Sequence, residues 1–434
     1  MTMKICIRPK SIKKKTANFM RSVLLFLFIF DVHFAGLGLP TFLTTRRIVI
    51  AVGLMWVWLS GRWQRPFTGS SSLKAFRGIF VLQVLLLIHA GVLLIVIGRG
   101  EGLHIYNDIV LFFLTGLLAA RVFACLYNSL EDFLNGLISV TLIQVAIIIL
   151  FAAISPLQQT VDAFLGVAEL NENLRMRGYV TGFSCSTSKG TLKLTPAIAA
   201  CVYFIIEEKK RILKYIIYFC IIGAFAIIQA RTGLVVVIFG VSAMLFGTGK
   251  IGMKSLFRVL RPLAVIILLT VSIIYIFQLS DVLKDLLWRL VDLFEKGLYD
   301  GFFKAYFGKT VGSTTVVPPV NWKTIIGTGI VSGESGNGIA VNVDGGFLRL
   351  YTALGLPWSV LFYIVMLMFM LKPFRHASGM AVKILLFFMV IYIFVIGETK
   401  EFFIYDGYSI ALYFAMAFLH DKDKYELKGG HFNV

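Results

Sequence analysis

At 434 residues, with 58% apolar and only 15% charged side chains, the chain carries too much apolar surface for a set of water-soluble domains. Its formal charge of +19 does not mark a nucleic-acid surface, because Lys and Arg sit in short connectors between apolar runs, where they set membrane topology. Cys6, Cys125, Cys185, Cys201 and Cys220 form no CxxC or Cys/His cluster, which excludes a disulfide framework and a structural zinc site.

Apolar runs recur near 21–40, 47–61, 78–97, 109–127, 133–154, 190–206, 212–230, 232–249, 263–279, 345–371, 380–397 and 407–420. They predict an all-α polytopic membrane protein of about twelve transmembrane helices, forming a single integral membrane domain over 1–434. Lys4, Arg8, Lys10, Lys13, Lys14, Lys15 and Arg21 precede the first run, and no A-x-A site follows it, so it reads as an uncleaved span. Arg62, Arg65, Lys74, Arg77, Lys209, Lys210, Arg211, Lys250, Lys254, Arg258, Arg261, Lys372 and Arg375 fall in alternate connectors, which the positive-inside rule assigns to the cytoplasm. Both termini are then cytoplasmic. The opposite side receives two large extracytoplasmic loops, 155–188 and 280–342. The second opens with SDVLKDLLWRLVDLFEK, whose apolar residues at 282, 283, 286, 287, 290, 293 and 294 share one helical face. That pattern predicts an amphipathic helix on the membrane's outer surface, with Trp288 and Phe294 down, and Ser280 or Asp281 as its N-cap.

Several short motifs fail. Ser186-Thr187-Ser188-Lys189 fits the S-x-x-K of penicillin-binding enzymes, but no S-D-N or K-T-G accompanies it. Gly308-Lys309-Thr310 ends like a phosphate-binding loop, but Phe303 stands where the first Gly must be. Gly327-Thr328-Gly329 reads as a turn.

The outer arginines say more. Arg175 and Arg177 lie in the first large loop, Arg231 at the mouth of a tight hairpin, and Arg349 at the head of the tenth run. A guanidinium there is costly without a partner; it binds phosphate through paired hydrogen bonds and stays charged at any working pH. The plain alternatives are an interfacial anchor or a carboxylate partner. Asp162, Glu169, Glu172, Glu334, Asp344, Glu398, Glu401 and Asp406 also gather outside, and Asp344, Glu398 and Glu401 are candidate general bases. Helix capping is the competing role for Asp344 and Asp406. His33 and His89 fall within spans, and the larger loop contains no histidine. Asp31 and His33, polar groups in the first span, are expected to pair with neighbouring helices.

The chain resembles the bacterial O-antigen polymerases (Wzy type) and, more distantly, the O-antigen ligases. The likeness lies in the layout of spans with two enlarged outer loops. It lies also in LRMRGYVTGFSCSTSKG at 174–190, QARTGLVVVIFG at 229–240, WKTIIGTG and VDGGFLRLYTALGLPW within 322–358, and GETKEFFIYDGYSIALYF at 397–414. The resemblance implies a bacterial inner-membrane glycosyltransferase that needs no metal, nucleotide sugar or other cofactor. Its substrate would be an undecaprenyl-diphosphate-linked oligosaccharide, polymerised in contact with membrane lipid and beside a chain-length regulator and a flippase. Carried over by matching segment, Arg175 or Arg177, Arg231 and Arg349 would hold the diphosphate. Asp344, Glu398 and Glu401 would face the acceptor. The absence of His from the larger loop favours polymerase over ligase. Rival readings are an O-antigen ligase, a peptidoglycan polymerase using Asp300 or Asp344, a transporter or flippase, and a scaffold without chemistry. Twelve spans would suit a transporter, but no internal repeat relates the two halves.

Overall fold

The computed structural model describes residues 9–32, 44–59, 71–97, 104–165, 183, 187–207, 211–230, 232–247, 253–276, 322–329, 333–334, 340–341, 346–397 and 407–427. The helices are α1 (Pro9–Phe30), α2 (Thr45–Leu59), α3 (Ser71–Ile97), α4 (His104–Leu126), α5 (Leu130–Ala153), α6 (Ser155–Leu165), α7 (Thr187–Glu207) and α8 (Ile212–Gln229). They continue with α9 (Thr232–Gly247), α10 (Met253–Ile276), α11 (Trp322–Ile326), α12 (Gly346–Leu354), α13 (Leu356–His376), α14 (Met380–Ile391) and α15 (Tyr408–Leu427). A π-helical turn, Tyr392–Gly397, prolongs α14. One antiparallel pair of two-residue strands, β1 (Gly333–Glu334) with β2 (Ala340–Val341), departs from the all-helical expectation.

Among the described residues, six segments are long and apolar enough to cross a membrane: Ile109–Leu126, Leu130–Ala153, Gly190–Glu207, Ile212–Gln229, Leu356–His376 and Met380–Gly397. The chain is a multi-pass helical membrane protein. Shorter apolar helices, Asn18–Phe30, Val81–Leu93, Thr232–Gly247 and Ala264–Ile273, fall in four more of the predicted runs. Two predicted boundaries change. The run at 345–371 is broken at Gly355 into α12 and α13. The first span, expected over 21–40, ends as helix at Phe30, and Asp31 lies beyond it with φ +42°. Of the two outer loops, the described parts are α6, Phe183 and the first two residues of α7 in the first, and α11, residues 327–329 and the strand pair in the second. The surface helix expected over 281–294 lies outside the described residues.

Two helices form the centre of the bundle. Every residue from 190 to 204 in α7 and from 407 to 420 around α15 is buried, the signature of a helix apolar all round and enclosed by others. The periphery is different: 83% of Gly190–Glu207 is buried against 28% of Leu356–His376. On α3, Leu82, Leu86, Ala90 and Leu93 face inward at helical spacing, while Val81, Leu85, Ile88, Val92 and Ile95 form an exposed apolar stripe suited to acyl chains. Lipid is as apolar as leucine, so packing and interhelical hydrogen bonds hold such helices together. Phe204 of α7 stacks on Tyr215 of α8 with centroids 4.3 Å apart and planes 12° from parallel.

Several helix ends meet in one place through hydrogen bonds and an ion pair. At one end, Ser129 caps α5 by accepting the Asp132 N–H at 3.2 Å, with Glu131 and Asp132 favourably placed against the helix dipole. Asp132 also pairs with Arg21 of α1 at 3.5 Å. The Asp423 carboxylate accepts the Leu130 N–H at 2.9 Å, Lys422 donates to the Asn128 carbonyl at 2.8 Å, and the Ser378 N–H donates to His420 Nε2 at 3.1 Å. The middle of α1 at Arg21, the α4–α5 and α13–α14 turns and the end of α15 therefore meet. We call this the basic end, and the opposite one the distal end.

Candidate functional site

Of the predicted site residues, Arg349 falls within the described residues; Arg175, Arg177, Arg231, Asp344, Glu398 and Glu401 lie outside them. Described residues close to several of them in sequence, such as Ala230, Gly346 and Gly397, lie at the distal end.

Local chemistry explains the first of these junctions. Pro196 sits inside α7 and has no N–H to give the carbonyl four residues back, that of Leu192. The Tyr392 hydroxyl, at the start of the π-helical turn, donates to this freed carbonyl at 2.7 Å. With its proton so committed, Tyr392 accepts the hydroxyl of Tyr408, 2.7 Å away at the head of α15. Both tyrosines are buried. They close the base of the segment 393–407, which carries Glu398 and Glu401. One residue earlier on α7, the Thr191 hydroxyl donates to the Ala226 carbonyl at 3.0 Å, tying α7 to the last turn of α8. The chain then turns through Ala230, whose carbonyl accepts the Gly233 N–H at 2.8 Å. Arg231, outside the described residues, falls between Ala230 and Thr232 in the sequence.

A charged cluster adjoins the tyrosines. Arg46 of α2 donates its backbone N–H to Asp31 at 3.0 Å and its Nε–H to the Phe28 carbonyl at 3.2 Å, and pairs with the Asp31 carboxylate at 3.4 Å. Its guanidinium lies over the rings of Tyr408, at 5.3 Å, and Phe28, at 5.8 Å. Lys193 of α7, buried, donates to the Phe30 carbonyl at 3.0 Å. The Thr45 hydroxyl donates to the Leu27 carbonyl at 2.8 Å and accepts the Val32 N–H at 2.7 Å. Burial by itself would raise the Asp31 carboxyl, but Arg46, Lys193, the Arg46 N–H and Thr44 outweigh it and hold it below its ordinary value. These bonds fasten the ends of α1, α2, α7 and α15 to one another.

The second junction holds Arg349. α12 ends at Leu354, and Pro357 has no N–H for the Ala353 carbonyl. The turn after α11 supplies the missing donors: Gly329 N–H reaches the Ala353 carbonyl at 2.8 Å, and Thr328 gives the Thr352 carbonyl both its N–H and its hydroxyl at 2.9 Å. Gly327, at φ +101°, and Gly355, at φ +82°, face each other backbone to backbone; a Cβ on Gly355 would collide with the Ile325 carbonyl oxygen. The Gly327-Thr328-Gly329 turn is thus a cap for α12. Half-buried Arg349 rides on that helix, and Phe347 packs on Tyr363 of α13 with centroids 5.0 Å apart.

Arg46, Lys193, Tyr392 and Tyr408 were not among the sequence candidates. Arg46 and Lys193 carried a signal, since a charge inside or at the outer mouth of an apolar run marks a site or a buried pair. The tyrosines carried none, because their meeting depends on a proline in another helix. Among the described residues no group of three His, Cys, Asp or Glu could hold a metal ion.

No family model matches the chain. No curated protein and no solved structure is significantly similar to it.

Proposed function

We propose that this protein polymerises undecaprenyl-diphosphate-linked glycan repeats at the extracytoplasmic face of a bacterial inner membrane. One observation carries the reading: each of the four stretches that resemble O-antigen polymerases has described residues at the distal end. These are the first turn of α7, Ala230 and Gly233, the Gly327–Gly329 turn with the end of α12, and Tyr408 at the head of α15. The basic end, with Arg21, Lys422 and Lys424, takes the cytoplasmic side under the positive-inside rule, which puts the distal end outside.

In the proposed reaction the bond between the donor glycan's anomeric carbon and the diphosphate oxygen breaks. The acceptor sugar's hydroxyl oxygen bonds to that carbon and gives up its proton to one of Asp344, Glu398 and Glu401. Undecaprenyl diphosphate leaves, its developing charge met by Arg175 or Arg177, Arg231 and Arg349. The sequence resemblance supplies these roles, and preorganised arginines suit a leaving group of that charge.

Deletion of the gene followed by gel analysis of lipopolysaccharide tests the proposal. The expected result is a single repeat on the core with no ladder above it. Loss of all repeats would point to ligation or flipping instead, and a normal ladder would overturn the reading.

A further inference from the structure

His89, in the distal half of α3, is buried and fully bonded. Its Nε2 lies 3.0 Å from the Ile326 carbonyl, 237 residues away in sequence. A carbonyl only accepts, so Nε2 carries the proton. In the neutral ring Nδ1 is then an acceptor, and the Tyr106 hydroxyl of α4, 2.8 Å away, donates to it. Trp358, in the first turn of α13, stacks on the imidazole at 4.6 Å with the planes 24° apart. Ile326 is the last residue of α11 and directly precedes the Gly327–Gly329 turn that caps α12. Three elements separated along the chain thus converge on one ring.

We infer that His89 is a positioning residue for Arg349. Its imidazole pins the end of α11, the pinned turn supplies the donors that complete the C-terminus of α12, and α12 presents Arg349. The dependence is physical. A helix end whose last carbonyls lose their donors frays from that end. The Thr352 and Ala353 carbonyls have Thr328 and Gly329 as their donors across this junction. Pro357 cannot replace the bond to Ala353. Tyr106 acts one step further back. Without its hydroxyl, the tautomer protonated at Nδ1 gains ground, and a bare Nε2 lone pair then opposes the Ile326 oxygen. The activity arm of this inference rests on the polymerase reading; the structural arm does not.

The test uses the full chain, purified in detergent, and the same variants expressed in the deletion strain. His89→Phe keeps the ring on Trp358 and removes both nitrogens. His89→Gln keeps an N–H donor near the Nε2 position. Backbone amide exchange at Thr328 and Gly329 is expected to rise about tenfold in H89F, the effect of losing one hydrogen bond's worth of protection, and to stay near wild type in H89Q. At equal membrane levels, H89F should shorten or abolish the polymer ladder, and H89Q should restore it. Unchanged exchange in H89F would overturn the inference. So would raised exchange with a normal ladder, since Arg349 would then not depend on the pinned turn. Where H89F fails to reach the membrane, Tyr106→Phe, which removes one oxygen, is read by the same two criteria. A normal ladder in the gene deletion itself would sink the polymerase reading, leaving the exchange result to decide the docking alone.

Discussion

Asp31 keeps its charge in a place where a neutral side chain would be easier to bury. Arg46 and Lys193 make this possible: both lie close enough to lower the carboxyl's pKa against the pull of burial. Such a pair adds little when compared with apolar residues of the same shape, but breaking it from one side leaves an uncompensated charge. Asp31→Asn is therefore expected to cost about 3 kcal/mol, read as a lower melting temperature in detergent. The pH dependence has a definite sign. A carboxyl lowered in the native state stabilises at every pH above its unfolded value of about 3.9, and that stability is lost as the pH falls through the lower native value. The gap in melting temperature between wild type and D31N should begin to narrow as the pH falls below about 4 and close once it passes the lower native value; a gap that did not narrow at all would assign its origin to packing. Arg46→Lys should behave like a broken pair too, because an ammonium cannot serve the Phe28 carbonyl, the Asp31 carboxylate and two ring faces together.

At the scale of elements, two prolines organise the distal end by the same means. Pro196 frees the Leu192 carbonyl and Tyr392 takes it; Pro357 leaves the Ala353 carbonyl open and Gly329 takes it. Tyr392→Phe orphans the Leu192 carbonyl and should cost about 1–3 kcal/mol. Pro196→Ala restores an intrahelical N–H to that carbonyl, so the double variant should lose less stability than the two single losses added together. Strict additivity would show that Tyr392 does not act through Leu192. Gly355→Ala should cost about 3 kcal/mol or more, because φ +82° with ψ 164° is backbone that only glycine adopts readily and the Ile325 oxygen occupies the Cβ position. Wild-type thermal stability in G355A would refute the interlock. Much of this level was legible in advance. Apolar length predicted the helices: ten of the twelve runs hold a long or shorter apolar helix among the described residues. What could not be read was pairing between distant positions. The break at Gly355 hid inside an uninterrupted apolar run, and the role of Gly327-Thr328-Gly329 depended on carbonyls 24 residues downstream. His89 looked like one more polar residue in a span, because nothing local to α3 announces Ile326.

For the whole molecule, the bundle encloses α7 and α15 and turns apolar stripes outward, as a multi-pass protein must. Its two ends differ in chemistry. The basic end is closed by short turns, while the distal end gathers the proline-freed carbonyls, the buried tyrosine pair, the Asp31–Arg46 cluster and the docked turn below Arg349. Arg231→Ala is predicted to abolish the polymer ladder without lowering the amount of protein in the membrane. A normal ladder would remove Arg231 from the site. The central claim, glycan polymerisation with a lipid diphosphate as leaving group, is tested most directly by reconstitution. The purified full chain in lipid vesicles would be supplied with the undecaprenyl-diphosphate-linked repeat units extracted from the deletion strain. The account predicts lipid-linked glycans of several repeats, with one undecaprenyl diphosphate released for every new glycosidic bond. Repeats recovered unjoined, with no lipid diphosphate released, by a folded protein would contradict it.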